Sequence, residues 1–536
     1  MKPKMKKLFL FLLLAFLFTA CNSDRIFTTP SGVPQRLNPS ANDSYTYDEY
    51  DIYIEPIPIA TQMPTPPQVE NNNTLRLSMR HPLTLNPLLN EDITVARILR
   101  LIFEPLIILD ENLRPTSHLA ELEFATDMSS VLLAIRPDAF WSDGAPVTSD
   151  DLIFSVDILR SAPANAIYRS NVENIASITR INARTVEIFF HRASACVGVP
   201  LGFPIIPQHH YRNQLLRSEN DMNPLGNGSF LFERLTPMNG LTLVQNPTSF
   251  RQISHISEIE VLFLPDLQTE LYAFDQGRID AIYLPLTEWV RHHSVRHPRH
   301  EIFPAMYFEF IGFNFQNPVF QNLHMRQGIA QVFDSAAAVH GVYLNHAVRA
   351  ITPIHPYSFI GVDVRTPGYD PTRARALLNA EPIHRPLVII ANEDNSQRIS
   401  IANRLAASLN DIGVSARAEI LPYEEYFSRL ETGEFDLYIG GMTLSNPPDT
   451  QIFFNGGFFL DCSVLQEAFY TTAQSFFNEA AFLQSMAQFQ QVFADRLPVI
   501  GLAFRHSAVL TSSRVSQNIP PASDNAFGWV NLWRIE

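Results

Sequence analysis

The chain has 536 residues, of which 46% are hydrophobic and 17% charged, and its formal net charge is −15. A hydrophobic fraction of this size in a chain of this length supplies enough material for two or three packed lobes. The acidic balance argues against a nucleic-acid partner, because binding to a phosphate backbone depends on an excess of lysine and arginine.

The first twenty residues have the pattern of a secretory signal. Four lysines precede an apolar run from Leu8 to Phe18 that is too short to span a bilayer. The run ends in Phe18-Thr19-Ala20-Cys21, which resembles the bacterial lipobox, where small residues precede a cysteine that is acylated. A plainly cleaved signal is the alternative, because leucine is usual where this chain has Phe18. Removing the four lysines of this segment from the net charge of −15 leaves −19 for the mature chain.

A tether is expected over residues 21–73, anchored to lipid through Cys21. This stretch is rich in proline, serine, asparagine, threonine and acidic residues and lacks a sustained apolar period, so we expect it to be disordered. No second apolar stretch long enough to span lipid follows it. The remaining cysteines, Cys196 and Cys462, lie far apart in sequence, and we expect buried small hydrophobic residues there, not a disulfide framework.

The folded body mixes strands and helices. It begins at residues 74–79, whose alternation predicts a half-buried strand. Thr148 is placed to cap a helix over residues 150–160, with Asp151 at the third helical position of a capping-box pattern.

Farther along, residues 396–412 carry apolar side chains at helical spacing, Gly413 is placed to end that helix, and residues 414–420 alternate like a strand. This succession predicts an αβ unit within an α/β lobe.

Several separated segments, in this order, resemble the family 5 bacterial extracellular solute-binding proteins, the oligopeptide- and dipeptide-binding group of ABC importers. The most specific is Ile135 to Asp151, which is close to the family's "LR-x-x-x-x-F/W-x-DG-x-P-x-TA-x-D" signature. The others are Thr84 to Pro87, Leu101 to Leu106, Pro115 to Glu121, Asn223 to Phe230, Gly277 to Asp280, Phe313 to Ala330, Tyr369 to Leu378, Ile412 to Val414 and Gly433 to Leu437.

The resemblance implies an α/β, periplasmic-binding-protein-like fold of type II, with two lobes joined by a hinge and an inserted extra lobe. The implied first lobe uses residues 74–100, 215–296 and 500–536, the inserted lobe uses 101–214, and the second main lobe uses 297–499. Family members close over a ligand held between the lobes, because contacts to both lobes exist only in the shut form.

The resemblance also implies which residues face the ligand. The loop at 91–93 corresponds to a ligand-facing segment of the first lobe, and 441–445 to the strand end of the second lobe that clamps the ligand. The block near the hinge contributes two further positions, although core packing is the alternative for Phe310. The candidate ligand contacts are Glu91, Asp92, Ile93, Phe310, Asn314, Gly441, Met442, Thr443, Ser445 and Asp449.

One departure from the family concerns the ligand class. Peptide binders commonly show "GW-x-x-D", whose tryptophan flanks the ligand and whose aspartate pairs with the free α-amine, and this chain has Met442 and Ser445 there. A buried ammonium without an anionic partner is costly, so Asp449, Glu91 or Asp92 would have to substitute. A turn or cap role after the preceding prolines is the alternative for Asp449.

Signals for other functions are weak. Histidines at 292, 293, 297 and 300 are interleaved with arginines that would repel a cation, so we expect an exposed basic loop and no metal site. No Walker loop, nucleophile elbow or His-Glu-x-x-His helix occurs, so we expect no enzyme activity and no cofactor.

The sequence therefore predicts a monomeric binding lipoprotein of the cell envelope, on the outer face of the cytoplasmic membrane or in the periplasm. It would capture peptides and deliver them to an ABC permease and its ATPase. Two alternatives stay open: the same scaffold binding a nickel chelate, an oligosaccharide or a peptide-like signal, and a sensory or adhesive lipoprotein without transport.

Overall fold

The computed structural model describes residues 73–192, 197–212, 222–285, 299–344, 346–380, 384–444, 479–516 and 526–536, with side chains for all of these except 299–304. Several predictions concern residues that lie outside the described backbone or side chains. These are the signal, Cys21, nearly all of the tether, Cys196, Cys462, Ser445, Asp449 and the histidine-rich stretch. Within them, no helix has both the length and the apolar character needed to cross a membrane.

The described elements follow in chain order. The strands are β1 Thr74–Met79, β2 Ile107–Leu109, β3 Pro115–Ser117, β4 Ala120–Phe124, β5 Ser130–Ile135, β6 Ile175–Arg180, β7 Thr185–Phe190, β8 Phe230–Thr236, β9 Gly240–Gln245, β10 Glu258–Phe263, β11 Ala281–Leu284, β12 Arg299–Phe313, β13 Ala347–Arg349, β14 Leu387–Asn392, β15 Ala416–Leu421, β16 Leu437–Thr443, β17 Val499–Thr511, β18 Val515–Ser516 and β19 Arg534–Ile535. The α-helices are α1 Ile93–Ile102, α2 Ser149–Ser161, α3 Gln208–Tyr211, α4 Leu267–Asp275, α5 Leu323–Val332, α6 Ser335–Tyr343, α7 Pro371–Asn379, α8 Ser396–Asp411, α9 Tyr423–Thr432 and α10 Glu479–Arg496.

A four-stranded sheet in the order β1-β10-β9-β8 contains the first predicted strand. Strand β1 buries alternate side chains, as its sequence pattern predicts, and pairs in parallel with β10. Asp280, which follows this sheet in sequence, accepts bonds from the guanidinium groups of Arg76 (2.8 and 2.9 Å) and Arg514 (3.0 and 3.1 Å). Its carboxylate is fully buried, so the two arginines supply the charge compensation that such a group requires.

A second four-stranded sheet, in the order β4-β5-β7-β6, is antiparallel throughout and precedes β8 in the chain. Helix α2 packs beside it and begins with the predicted cap: the backbone N–H of Thr148 donates to the carboxylate of Asp151 at 2.8 Å. The indole N–H of Trp141 also donates to that carboxylate, at 3.3 Å. Gly144 has φ of +86°, so the turn that it forms with Asp143 favours a residue without a β-carbon.

The largest sheet has seven strands in the order β11-β17-β12-β16-β14-β15, with β13 paired to β17. The prediction for its αβ unit is confirmed: α8 spans 396–411, Gly413 has φ of +88°, and β15 follows, beginning at residue 416. Strands β14, β15 and β16 are parallel, whereas β12 and β17 run antiparallel to their neighbours.

Two large hydrophobic cores organise the described residues. One is built on the seven-stranded sheet with helices α5 to α10, and the other joins both four-stranded sheets. Strand β17 enters both regions, since Phe504 lies in the first core and Val509 in the second. A boundary between lobes would therefore fall inside this strand, and the lobe boundaries given above remain a proposal.

Candidate functional site

The carboxyl ends of the parallel strands in the seven-stranded sheet lie at one edge. Strand β14 ends at Asn392, β15 at Leu421 and β16 at Thr443, and the antiparallel β12 places Tyr307 opposite Thr443. We call these four residues the strand-end edge. In open α/β sheets, ligands bind in the crevice outside the carboxyl ends of the strands, so this edge is the candidate binding site.

Gly441, one of the predicted ligand contacts, lies two residues inside the strand-end edge. A β-carbon at this position would come within 2.6 Å of Nη2 of Arg398, 2.7 Å of Oε2 of Glu309 and 2.8 Å of the ring of Tyr307. Separations below 3.0 Å require the neighbours to move. Glycine at 441 therefore makes room for a charged network packed against the strand.

That network contains a carboxylate, two guanidinium groups and a tyrosine. Glu309 is 0% exposed and accepts from Nε of Arg398 at 3.1 Å and from Nη1 of Arg505 at 3.0 Å. Arg398 also donates to the hydroxyl of Tyr307 at 3.0 Å, and this hydroxyl donates to the carbonyl of Gly441 at 3.2 Å. The network thus connects the buried carboxylate to the backbone of the predicted ligand-facing strand. We call Glu309, Arg398 and Arg505 the buried charge triad.

The triad has one more positive than negative charge. Burial lowers the pKa of Arg398, but the adjacent carboxylate of Glu309 outweighs this and the net pKa is raised, so the arginine stays charged. Arg505 is 2% exposed, and within the described residues its Nε and Nη2 groups have no hydrogen-bond partner. Its guanidinium lies 6.0 Å from the ring centroid of Tyr307 and 5.7 Å from that of Tyr343.

The predicted first-lobe contacts lie at the start of α1. Asp92 caps this helix, accepting from the backbone N–H of Thr94 at 2.7 Å and of Val95 at 3.3 Å. Ile93 is 52% exposed, so its side chain is accessible from solvent at this end of the helix. Glu91 and Asp92 also line a pocket of about 600 Å³.

A half-buried carboxyl, Glu270, interacts electrostatically with Arg80 and Asp92 of this pocket and was not predicted from the sequence. The pKa of Glu270 is raised to about 7, because burial disfavours the carboxylate more than the positive charges of Arg97 and Arg80 favour it. Arg97 itself lies 3.5 Å from the ring centroid of Tyr283, and burial lowers its pKa. In the sequence, Arg97 is linked to the predicted ligand-facing loop at 91–93 only by lying on α1, the helix that this loop begins.

Three of the other predicted contacts pack or form hydrogen bonds within the fold. Phe310 is buried in the core against Phe308 and Tyr438, and the side chain of Met442 is buried in the same core. Asn314 donates to the carbonyls of Gly433 at 2.9 Å and Phe435 at 2.8 Å, which fixes a turn. Of the segment 441–443, Thr443 is the residue whose side chain is exposed.

A contact joins the stretch predicted as the inserted lobe to the stretch predicted as the second main lobe. Nη1 of Arg114 lies 2.6 Å from Oε1 of Glu479, and its guanidinium lies 4.6 Å from the ring centroid of Phe359. The backbone N–H of Phe359 donates to the carbonyl of Asn112 at 2.8 Å. We call these four residues the interlobe contact. Asp110 organises its turn by accepting from the backbone N–H groups of residues 112 and 114.

A family model described as bacterial extracellular solute-binding proteins, family 5, middle, matches residues 114–459, which is more than half of the chain. The chain belongs to this family. The oligopeptide-binding protein AppA of Bacillus subtilis is 21% identical over 399 residues, covering 69% of this chain and 74% of the relative.

Solved structures of family 5 proteins share the fold. AppA with a nonapeptide has a TM-score of 0.60 at 18% identity, covering 86% of this chain and 99% of that one. The substrate-binding protein CtaP of Listeria monocytogenes reaches 0.74 at 17% identity (87% and 100%). NikZ of Campylobacter jejuni with Ni(L-His) reaches 0.64 at 19% identity (86% and 99%). The prediction of an α/β, periplasmic-binding-protein-like fold is confirmed.

Three acidic residues within the matched family 5 segments have structural partners. Asp151 and Asp280 make the cap and the two ion pairs described above, and Asp436 is fully buried with both oxygens 2.6 Å from the guanidinium of Arg385. These segments therefore explain why the sequence identifies the fold of this solute-binding protein. They say less about its ligand. Among the described residues, no group of three histidine, cysteine or acidic side chains could hold a metal ion.

Proposed function

We propose that this family 5 protein is the substrate-capturing subunit of an ABC importer for peptides. It would be anchored through Cys21, act as a monomer at the outer face of the cytoplasmic membrane or in the periplasm, and deliver its ligand unchanged to permease and ATPase subunits. The observation that carries the proposal is the family match over residues 114–459. The relatives support peptides as ligands, because AppA of Bacillus subtilis is an oligopeptide-binding protein whose structure was solved with a nonapeptide.

The proposed mechanism is capture by closure. A solute at the strand-end edge would contact Thr443 on the second lobe, and Glu91, Asp92 and Ile93 on the first. Contacts to both lobes form only in the closed shape, so binding shifts the equilibrium towards it. The interlobe contact would add to this shift, since Arg114 and Glu479 meet only when the predicted lobes are together.

Peptide recognition would rest mainly on the ligand's backbone. An extended peptide can hydrogen-bond through its main chain to exposed strand edges, and bridging water fills roomy side-chain pockets, which gives affinity with little sequence preference. For the α-amine, we propose Glu91 or Asp92 as the anionic partner. Oδ1 of Asp92 accepts the hydrogen bonds of the helix cap, whereas Oδ2 lies 3.7 Å from Nη1 of the exposed Arg80.

A second candidate is a non-peptide solute such as a metal chelate or an oligosaccharide. The burial of Met442 favours it, because the side chain at the family's tryptophan position packs into the core and does not flank a ligand. The excess positive charge of the buried charge triad would suit an anionic solute. NikZ of Campylobacter jejuni, which shares the fold, was solved in complex with Ni(L-His).

Native mass spectrometry of protein purified from its own cells separates the candidates. Peptide import predicts a mixture of short peptides released on denaturation, and addition of such peptides to emptied protein should raise its melting temperature. A single metal complex or sugar would support the second candidate. An empty protein whose melting temperature no solute changes would contradict both and favour a sensory or adhesive role.

The lipid anchor has its own test. Replacement of Cys21 by serine should move the protein from the membrane fraction to the soluble fraction and remove the acyl mass from its N-terminal peptide. The matched control is Cys462→Ser, which should leave both readouts unchanged. An unaltered distribution of the Cys21→Ser protein would contradict anchoring at this residue and leave a plainly cleaved signal.

A further inference from the structure

One edge of the first four-stranded sheet brings three chain segments together. Strands β1 and β10 are parallel, so their carboxyl ends share this edge, where ligands bind in α/β lobes. Just beyond it, the backbone N–H of Leu264 donates to the carbonyl of Met79 at 2.9 Å, and α4 follows. The backbone N–H of Arg80 donates to Oγ1 of Thr94 at 2.9 Å, which connects the end of β1 to the first turn of α1. Helices α1 and α4 therefore both begin at this edge, next to the pocket of about 600 Å³ that Arg80 and Asp92 line.

Glu270, in the first turn of α4, has a carboxyl group without a partner. Within the residues that the structure describes, this group forms no hydrogen bond and no ion pair, although the residue is half-buried. Both of its oxygens keep access to solvent. A half-buried carboxyl has lost part of its hydration, and a polar or charged partner normally compensates for that loss. The carboxyl of Glu270 is therefore able to accept hydrogen bonds from a ligand that enters from solvent.

The surrounding charges favour a cation at this carboxyl. Four charged groups lie close enough to influence it: Arg97, Arg80, Asp92 and Asp266. Both aspartates already cap helices, Asp92 at the start of α1 and Asp266 at the start of α4. Nη1 of Arg80 also lies 3.7 Å from Oδ2 of Asp92. When Glu270 is ionised, three negative charges stand against two positive ones, so one added positive charge balances the group.

An ammonium group is the cation that a peptide with a free amino terminus carries. This chain has Ser445 where peptide binders commonly have the aspartate that pairs with this group, and a hydroxyl supplies no charge. Of the carboxyls proposed above in its place, Glu91 is exposed, so water and salt weaken its attraction for a cation. Oδ1 of Asp92 is occupied by the cap of α1. Glu270 is better shielded from water than Glu91, so a charge pair formed there is stronger.

We propose that Glu270 binds the ammonium group of the captured solute, which makes a free amino terminus a feature that this protein recognises. The inference rests on the proposed capture of peptides and adds a specificity-determining residue on α4 to the predicted contacts at 91–93. The three N–H donors of an ammonium group match the two oxygens of the carboxylate. Apolar side chains of Leu83, Leu89 and Pro163 in the adjoining pocket would pack against the neighbouring part of the solute.

The test compares trialanine with N-acetyl-trialanine by titration calorimetry of the emptied full chain at pH 6.5. The acetyl group removes the positive charge and leaves the rest of the peptide unchanged. The full chain should bind trialanine about tenfold more tightly, which is typical of a hydrogen bond between charged groups. Glu270→Gln should weaken the binding of trialanine to about that of the acetylated peptide and leave the binding of the acetylated peptide unchanged.

Glu260→Gln is the matched control, because it makes the same replacement at an exposed position on β10 of the same sheet. This variant should keep the preference for trialanine. Melting temperatures of both variants, measured at pH 6.5, show that each protein is folded.

Proton release on binding gives a second readout, which needs no variant. Burial raises the pKa of Glu270 to about 7, so most of this carboxyl is protonated at pH 6.5, whereas the α-amine of the peptide stays charged. An adjacent ammonium favours the carboxylate, so binding of trialanine should release roughly 0.7 of a proton. Titrations in phosphate and in Bis-Tris buffers, whose ionisation enthalpies differ, measure this release.

The outcomes separate this inference from the proposed function. Equal affinities for the two peptides, a preference that survives Glu270→Gln, or binding of trialanine without proton release would overturn the role of Glu270 while peptide capture stands. Failure of both peptides to bind the emptied protein would count against peptide capture itself, and the role of Glu270 would fall with it.

Discussion

The buried charge triad should respond asymmetrically to the loss of its members. Glu309→Gln preserves the shape of the side chain and leaves Arg398 and Arg505 buried without a counter-charge, both within 3.1 Å of the replaced group. Removal of one partner from a buried ion pair typically costs 3–5 kcal/mol, so we expect the free energy of unfolding to fall by about that amount. Arg505→Met leaves the neutral pair of Glu309 and Arg398 and removes two unpartnered N–H groups, so we expect it to cost only about 1–2 kcal/mol.

Urea denaturation of the wild type, both single variants and the double variant measures these costs and the coupling between Glu309 and Arg505. A cost for Glu309→Gln that exceeds the cost for Arg505→Met by about 2 kcal/mol would support an excess positive charge in the triad. Equal costs for the two variants, or a cost below about 1 kcal/mol for Glu309→Gln, would refute this reasoning, because the carboxylate would then not be needed to compensate two buried guanidinium groups.

Three further predictions concern the surroundings of the site. Gly441→Ala should lower the free energy of unfolding by about 1–3 kcal/mol in urea denaturation, because the added methyl group overlaps Arg398 and Glu309; a cost within 0.5 kcal/mol of zero would contradict the close packing. The raised pKa of Glu270, about 7 against an ordinary value of 4.5, stabilises the fold below pH 4.5, and this stabilisation is lost as the pH rises through 7. Glu270→Gln should therefore remove roughly 2–3 kcal/mol of pH dependence from unfolding measured between pH 4.5 and 8, and an unchanged profile would contradict the assignment. Arg114→Ala should weaken ligand binding in calorimetry by about three- to tenfold, because the exposed ion pair with Glu479 and the ring contact contribute about 1 kcal/mol to the closed shape; unchanged affinity would show that this contact does not assist closure.

Local sequence signals predict the elements of this fold well. The capping pattern at Thr148, the periodicity of residues 396–412 and the left-handed glycine at 413 each act over a few residues, and the structure confirms all three. The alternation at residues 74–79 likewise predicts a strand with one buried face.

The site depends on contacts that no local pattern contains. Glu309 meets Arg505 across 196 sequence positions and Arg398 across 89, and none of these residues lies in a motif that sets it apart. The resemblance to the family identifies the strand that carries Gly441, but the reason for glycine there is a charged network that only the tertiary structure assembles. Phe310 shows where the family resemblance is insufficient. The resemblance places this residue near the hinge and the ligand, whereas the structure places its side chain in the hydrophobic core.

Small-angle X-ray scattering of the emptied protein, before and after addition of short peptides or of the solute released from the native protein, tests the central claim most directly. Capture by closure predicts a smaller radius of gyration with solute and a reversal when the solute is dialysed away. A radius of gyration that stays constant while calorimetry shows saturation would contradict closure around the ligand. It would place the binding of solute outside a hinged cleft.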